Sequence, residues 1–115
     1  MHLPNAKHAT IPSLKLTGYL LSVAHPRGRG KALVFFCFGF SSDAPHLLEH
    51  ALLAHVRVNE ITRILETPHG TKYEVEGPLM APDGRTPVVR SVWIIDSDGV
   101  APRFVTALPG SRLRT

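Results

Sequence analysis

The stretch best equipped for chemistry runs from His25 to Lys31, His-Pro-Arg-Gly-Arg-Gly-Lys. It places His25, Arg27, Arg29 and Lys31 among two glycines in a single short loop. A histidine moves protons near neutral pH. Arginine and lysine stabilise charge developing on a phosphoryl group, the arginine through a planar fork. These are the parts that metal-independent RNA cleavage requires: a base for the 2′-hydroxyl proton, an acid for the leaving 5′-oxygen, and cations for the pentacoordinate phosphorus. Backbone amides at Gly28 and Gly30 can add a phosphate cradle where a helix begins. The same residues also read as a solvated basic loop in which His25 caps a turn before Pro26. Gly28-Arg29-Gly30-Lys31 is not a phosphate-binding P-loop, because the spacing is wrong and no Ser or Thr follows the lysine. Nucleotide hydrolysis is therefore excluded.

A second set of candidates lies near the C-terminus. Arg103 and Thr106 fall in one apolar-polar alternating run, and Arg90 and Trp93 in another. In a regular strand Arg103 and Val105 share one face while Phe104 and Thr106 share the other, so Arg103 and Thr106 meet in one site only if the strand is bulged or the site sits on its edge. Arg90 reads either as a phosphate ligand or as a cross-strand partner of Glu74 or Glu76. Trp93 reads either as a platform for a base or as core beside Val89 and Ile95. Tyr73 is a further candidate for the same cleft. His46 and His50 stand four apart, a spacing that binds zinc on a helix, but no Glu follows His46 and no third ligand is near. No metal or other cofactor is expected. Cys37, the single cysteine, is expected as a small buried hydrophobe in an aromatic run.

Composition sets the frame for these residues. A chain of 115 residues with 43% apolar and 19% charged content is one soluble domain, 1–115, with an extended arm over 1–10 and a tail over 110–115. The net charge is +4, from 13 Lys and Arg against 9 Asp and Glu. The cations gather at 27–31, at 85–90 and at Arg103, which suits an RNA partner. No charged-then-apolar leader opens the chain, and no apolar run nears the ~20 residues that span a bilayer. The expectation is a cytoplasmic protein with no membrane partner.

The elements that must position the candidates follow from periodicity and turn chemistry. Thr10 and Pro12 open a short helix carrying Ile11, Leu14, Tyr19, Leu20 and Leu21, which ends before His25-Pro26. Residues 31–38 read as a strand by propensity and as a helix by the spacing of Ala32, Phe35, Phe36 and Gly39. The helix is preferred, because the basic loop then sits at its N-terminus. Ser41-Ser42-Asp43 starts a further helix, with a stripe of Leu47, Leu48, Ala51, Leu52 and His55. The second half alternates over Ile61 to Glu66, Lys72 to Glu76, Val88 to Ile95 and Arg103 to Leu108, with turns rich in Pro, Asp and Gly between. Helices first and a four-stranded antiparallel meander afterwards make an α+β fold, with the helices packed on one sheet face.

The chain also resembles a family of small bacterial domains of uncharacterised function. The resemblance is carried by Lys15-Leu16-Thr17-Gly18-Tyr19-Leu20-Leu21, His25-Pro26, Gly28, Lys31-Ala32 and Phe36. Further matches are Gly70-Thr71 (with His69 where the family has tyrosine), Asp83-Gly84-Arg85, Val92-Trp93-Ile94-Ile95 and Pro102 to Ala107. The front half is similar to toxin domains at the C-termini of polymorphic and contact-dependent bacterial toxins, grouped with the barnase–EndoU–colicin–RelE-like ribonucleases. That resemblance implies N-terminal helices on a four-stranded sheet and RNA cleavage by general acid–base chemistry. His25, Lys31, Arg103 and Thr106 would then be catalytic, with Arg27, Gly28, Arg29, Arg90 and Trp93 on the RNA. It implies a small acidic antitoxin or immunity protein as partner. The alternative is a non-catalytic module of the same fold that grips RNA or protein. The two open edges of a meander also leave a homodimer through the sheet.

Overall fold

Alternation of period two builds the second half of the chain. The computed structural model describes residues 1–110, and the tail arginines Arg112 and Arg114 lie outside the described residues. Strands β1 (Ile61–Thr67), β2 (Gly70–Pro78), β3 (Val88–Asp96) and β4 (Arg103–Pro109) pair antiparallel in chain order. The face of this meander that carries Val75, Ser91 and Trp93 is closed to solvent. The helices cover it with Leu20, Phe35, Leu48, Leu52 and Val56, which are buried in the same core. The architecture is the α+β arrangement expected. No helix among the described residues is long and apolar enough to cross a membrane.

The helical half follows its apolar spacing with instructive departures. α1 (Ser13–Lys15) runs directly into a π turn, Leu16–Leu20. There the Leu21 amide donates to the Leu16 carbonyl at 2.8 Å, an i→i+5 bond. The wider turn brings Leu16, Leu20 and Leu21 onto the core together, and Leu14 is left exposed rather than buried. Thr10 does not cap this helix. Its backbone instead bridges β4, accepting from the Phe104 amide and donating to the Pro102 carbonyl.

Residues 29–37 are helical: α2 spans Arg29–Cys37. It stops at Gly39, whose φ of 99° sets the left-handed turn that side chains disfavour. The Phe40 amide bonds the Phe35 carbonyl and the Gly39 amide that of Phe36, and the Phe35 and Phe40 rings meet edge to face. This is a Schellman stop with its hydrophobic contact. Helix geometry also corrects the expectation for Cys37, which is exposed. Two residues beyond the buried Phe35, a helical position points to the opposite side, whereas a strand position would have returned to the core.

α3 (Pro45–Val58), besides packing on the sheet, is hydrogen-bonded to it through His55. His55 is buried, and its Nε2 lies 2.9 Å from the Val89 carbonyl and 3.2 Å from that of Gly77. Two acceptors at one nitrogen place the proton there, so Nδ1 accepts from the Ser91 hydroxyl at 3.2 Å. Ser91 Oγ in turn accepts from Trp93 Nε1 at 2.8 Å. Burial holds the imidazole below its ordinary pKa of 6.5, against the opposing pull of the two carbonyls.

The consequence for stability has a definite sign. Below pH 6.5 the unfolded chain takes up a proton that folded His55 refuses. The unfolded state then binds more protons, so stability drops as the pH is lowered below 6.5, by up to about 1.4 kcal/mol per unit, until the folded-state pKa is reached. Urea unfolding between pH 5 and 8 is expected to show this fall, and His55→Gln to flatten it. His55→Ala, which also opens a cavity, is expected to cost roughly 3–5 kcal/mol.

Candidate functional site

The π turn decides where Tyr19 goes. With Leu16, Leu20 and Leu21 drawn into the core, Tyr19 stays half-buried at the flank of the helix, beside β4. Its hydroxyl lies 2.8 Å from Thr106 Oγ1. Around the ring stand Lys15 Nζ, 5.2 Å from the centroid, Lys31 Nζ at 5.6 Å, and the His25 ring, edge-on at 5.0 Å. Ammonium groups at such distances are attracted to the face of the π system.

The loop from His25 to Lys31 is seated on this tyrosine by Gly28. A Cβ at Gly28 would stand 2.0 Å from the Tyr19 carbonyl oxygen, which no side chain permits. His25 then closes the loop on itself, its Nδ1 accepting from the amides of Arg27 at 3.0 Å and Gly28 at 3.1 Å. The neutral ring therefore carries its proton on Nε2 and offers a donor rather than a base. Lys31 Nζ turns back to the Arg27 carbonyl at 3.4 Å.

β4 reaches the same place through a bulge. Trp93 opposes Phe104 and Val92 opposes Thr106, so Val105 is the extra residue. Phe104 and Ala107 both face the core across the bulge, and Val105 and Thr106 both line a cleft with Pro12, Leu14, Lys15, Gly18, Tyr19, His25 and Arg27. The cleft is open, with a volume of about 640 Å³. Its lining carries the cations Lys15 and Arg27 and the donor His25, and no carboxylate. Such a site selects an anion.

Of the residues singled out in the sequence, the structure brings His25, Arg27 and Thr106 into one cleft and sets Lys31 behind the Tyr19 ring. The others lie elsewhere. Arg103 pairs with Asp96 at 2.9 Å, roughly 10 Å along the strand from Thr106, so it does not support His25 across the cleft. Trp93 is fully buried against Phe104 and has no face to offer a base. Arg90 is held by Glu76 at 3.3 Å, the cross-strand pairing rather than the phosphate role. The Gly28 amide is taken by His25, so it cradles no phosphate. Arg29 is exposed at the start of α2 outside the cleft lining, and Tyr73 packs against the core. The His46 and His50 rings are 6.2 Å apart, and no group of three His, Cys, Asp or Glu side chains among the described residues could hold a metal ion. Sequence reasoning missed Tyr19 and Lys15. Their spacing of four on one helix was the available signal.

Comparison with known proteins bears on the fold and the family. A family profile described as a domain of unknown function (DUF6883) matches residues 2–111. A solved chain from a contact-dependent growth inhibition toxin–immunity protein complex of Klebsiella pneumoniae 342 superposes with a TM-score of 0.69 at 21% identity. The match covers 87% of this chain and 98% of that one. No curated protein matches the chain.

The seat of the loop can be tested by moving one methyl group. Gly28→Ala is expected to cost roughly 1–3 kcal/mol through the clash with the Tyr19 carbonyl. Gly30→Ala, in α2 with no atom within 4 Å of the new Cβ, is expected to stabilise by about 0.5–1 kcal/mol. Thermal unfolding of the two variants reads both signs.

Proposed function

The chain belongs to the DUF6883 family, and on that premise we propose that it is a toxin-type domain that cleaves RNA phosphodiesters without a metal. The place of action is the cytoplasm, and a small acidic antitoxin or immunity protein is the partner. The fold likeness to a chain of a toxin–immunity complex supports the toxin-type reading. The observation that carries the chemistry is the convergence of Lys15, Tyr19, His25, Arg27 and Thr106 on one acid-free cleft.

Within this reading the scissile phosphate sits between the loop and β4. Arg27 grips its oxygens with the guanidinium fork. His25 donates from Nε2 to a non-bridging oxygen as charge builds there. Its engaged Nδ1 withdraws it from the proton-transfer role the sequence suggested. Lys15 and Lys31 add positive charge on the ring of Tyr19. The same engaged Nδ1 favours a second reading, in which the cleft grips RNA or an acidic protein without cleaving it.

Incubation of the purified protein with total RNA and tRNA in EDTA separates the two. Cleavage is expected, with His25→Ala and Arg27→Ala each slowed by about 10²–10³-fold and Arg103→Ala retaining wild-type activity. Intact RNA, with no effect of expression on growth, would overturn the proposal. A loss of affinity in the variants with no activity to lose would leave the binding module in its place.

A further inference from the structure

We propose that the Tyr19 hydroxyl is the proton donor to the leaving 5′-oxygen, with Thr106 as the residue that positions it; this rests on the RNA-cleavage reading. An acid for the leaving oxygen has to come from the protons that face the cleft. Its lining offers those of Lys15, Tyr19, His25, Arg27 and Thr106. A guanidinium does not give up its proton in a protein. The Thr106 alcohol is no stronger an acid than the alcohol it would have to protonate. Neutral His25 could donate only by becoming an imidazolate. Its charged form would need a proton on Nδ1, where two backbone amides already point. That leaves the Lys15 ammonium and the Tyr19 phenol.

The geometry selects the phenol. Either oxygen of the Tyr19–Thr106 pair can donate across the 2.8 Å between them. When Thr106 donates, the tyrosine keeps its own proton free for the substrate, and its oxygen is fixed by a strand rather than by a flexible stem. The bulge at Val105 is what turns Thr106 to this task. The charge left behind after transfer is also provided for. The phenolate retains the Thr106 hydrogen bond and has the ammonium groups of Lys15 and Lys31 at 5.2 and 5.6 Å from its ring.

The step balances. The 2′-oxygen forms its bond to phosphorus as the bond from phosphorus to the 5′-oxygen breaks. The 2′-hydroxyl proton passes to water in the open cleft, and the Tyr19 proton goes to the 5′-oxygen. The products are a 2′,3′-cyclic phosphate and a 5′-hydroxyl, and the phenolate regains its proton from water.

Single-turnover cleavage in EDTA of two oligoribonucleotides tests the assignment, one ordinary and one with sulfur in place of the bridging 5′-oxygen. A thiolate leaves without protonation, so the sulfur substrate does not need the acid. Tyr19→Phe is expected to slow the ordinary substrate at least about 100-fold and the sulfur substrate by no more than about threefold. Its affinity for an uncleavable 2′-deoxy analogue should match wild type. Thr106→Val is expected to show the same pattern at smaller amplitude. The wild type supplies a measurement that needs no variant to fold: sulfur at the bridging position should speed its cleavage far less than it speeds uncatalysed cleavage, because the ordinary leaving oxygen is already protonated in the cleft. Equal slowing of both substrates in Tyr19→Phe, slowing of neither, or sulfur rescue of Lys15→Ala instead would overturn the assignment while leaving the RNA-cleavage reading intact. A wild type that cleaves neither substrate overturns that reading and this assignment with it.

Discussion

The hydrogen bond between Tyr19 and Thr106 joins residues 87 positions apart, and the cleft depends on it. One end is placed by a helix that widens into a π turn, the other by a strand that gains a residue opposite Val92 and Trp93. Each irregularity sacrifices local regularity. A π turn is rare in helices and a bulge leaves a residue unpaired. Together they bring a phenol and an alcohol to 2.8 Å at the rim of a sheet whose buried face is mostly apolar. The basic loop then has a fixed surface to lean on, because Gly28 rests on the Tyr19 backbone and His25 against its ring.

Away from the cleft, polar groups are spent on holding the frame. His55, Ser91 and Trp93 form a closed chain of hydrogen bonds between α3 and the sheet, and no buried side-chain nitrogen or oxygen among the described residues lacks a partner. Arg85 pairs with Asp83, donates to the Cys37 carbonyl and lies over the Phe38 ring, pinning the loop before β3 to the end of α2. It also holds the Asp83 carboxyl below its ordinary range. Arg90 and Arg103 are likewise committed to carboxylates. The positive charge left facing the cleft is therefore that of Lys15 and Arg27, with Lys31 behind.

Much of the frame was legible in the sequence, and the reasons are physical. Alternation and turn residues marked the four strands to within a few residues, since a half-buried sheet imposes period two and tight turns demand Gly, Pro and Asp. The stripe of Ala32, Phe35 and Phe36 gave α2 correctly over the strand suggested by aromatic propensity, because burial follows spacing. The site was legible only in part. His25, Arg27 and Thr106 announced themselves by type, but Tyr19 looked like one more apolar residue on a helix face. Its exclusion from the core depends on an i→i+5 bond that no spacing rule anticipates. Arg103 misled for the complementary reason: its side chain suits RNA, and only its pairing with Asp96 reveals that it serves elsewhere. Trp93 read as core as well as a platform for a base, and it is buried.

The span between Tyr19 and Thr106 also has a meaning in time. A ribosome adds about 5–20 residues per second, so on the order of ten seconds separate the synthesis of the phenol from that of the alcohol that fixes it. The Thr10 bridge to β4 waits for the same late strand. Throughout that interval the nascent chain carries its basic loop without the strand that completes the cleft. The cleft is thus finished only once β4 has been made and has paired with β3.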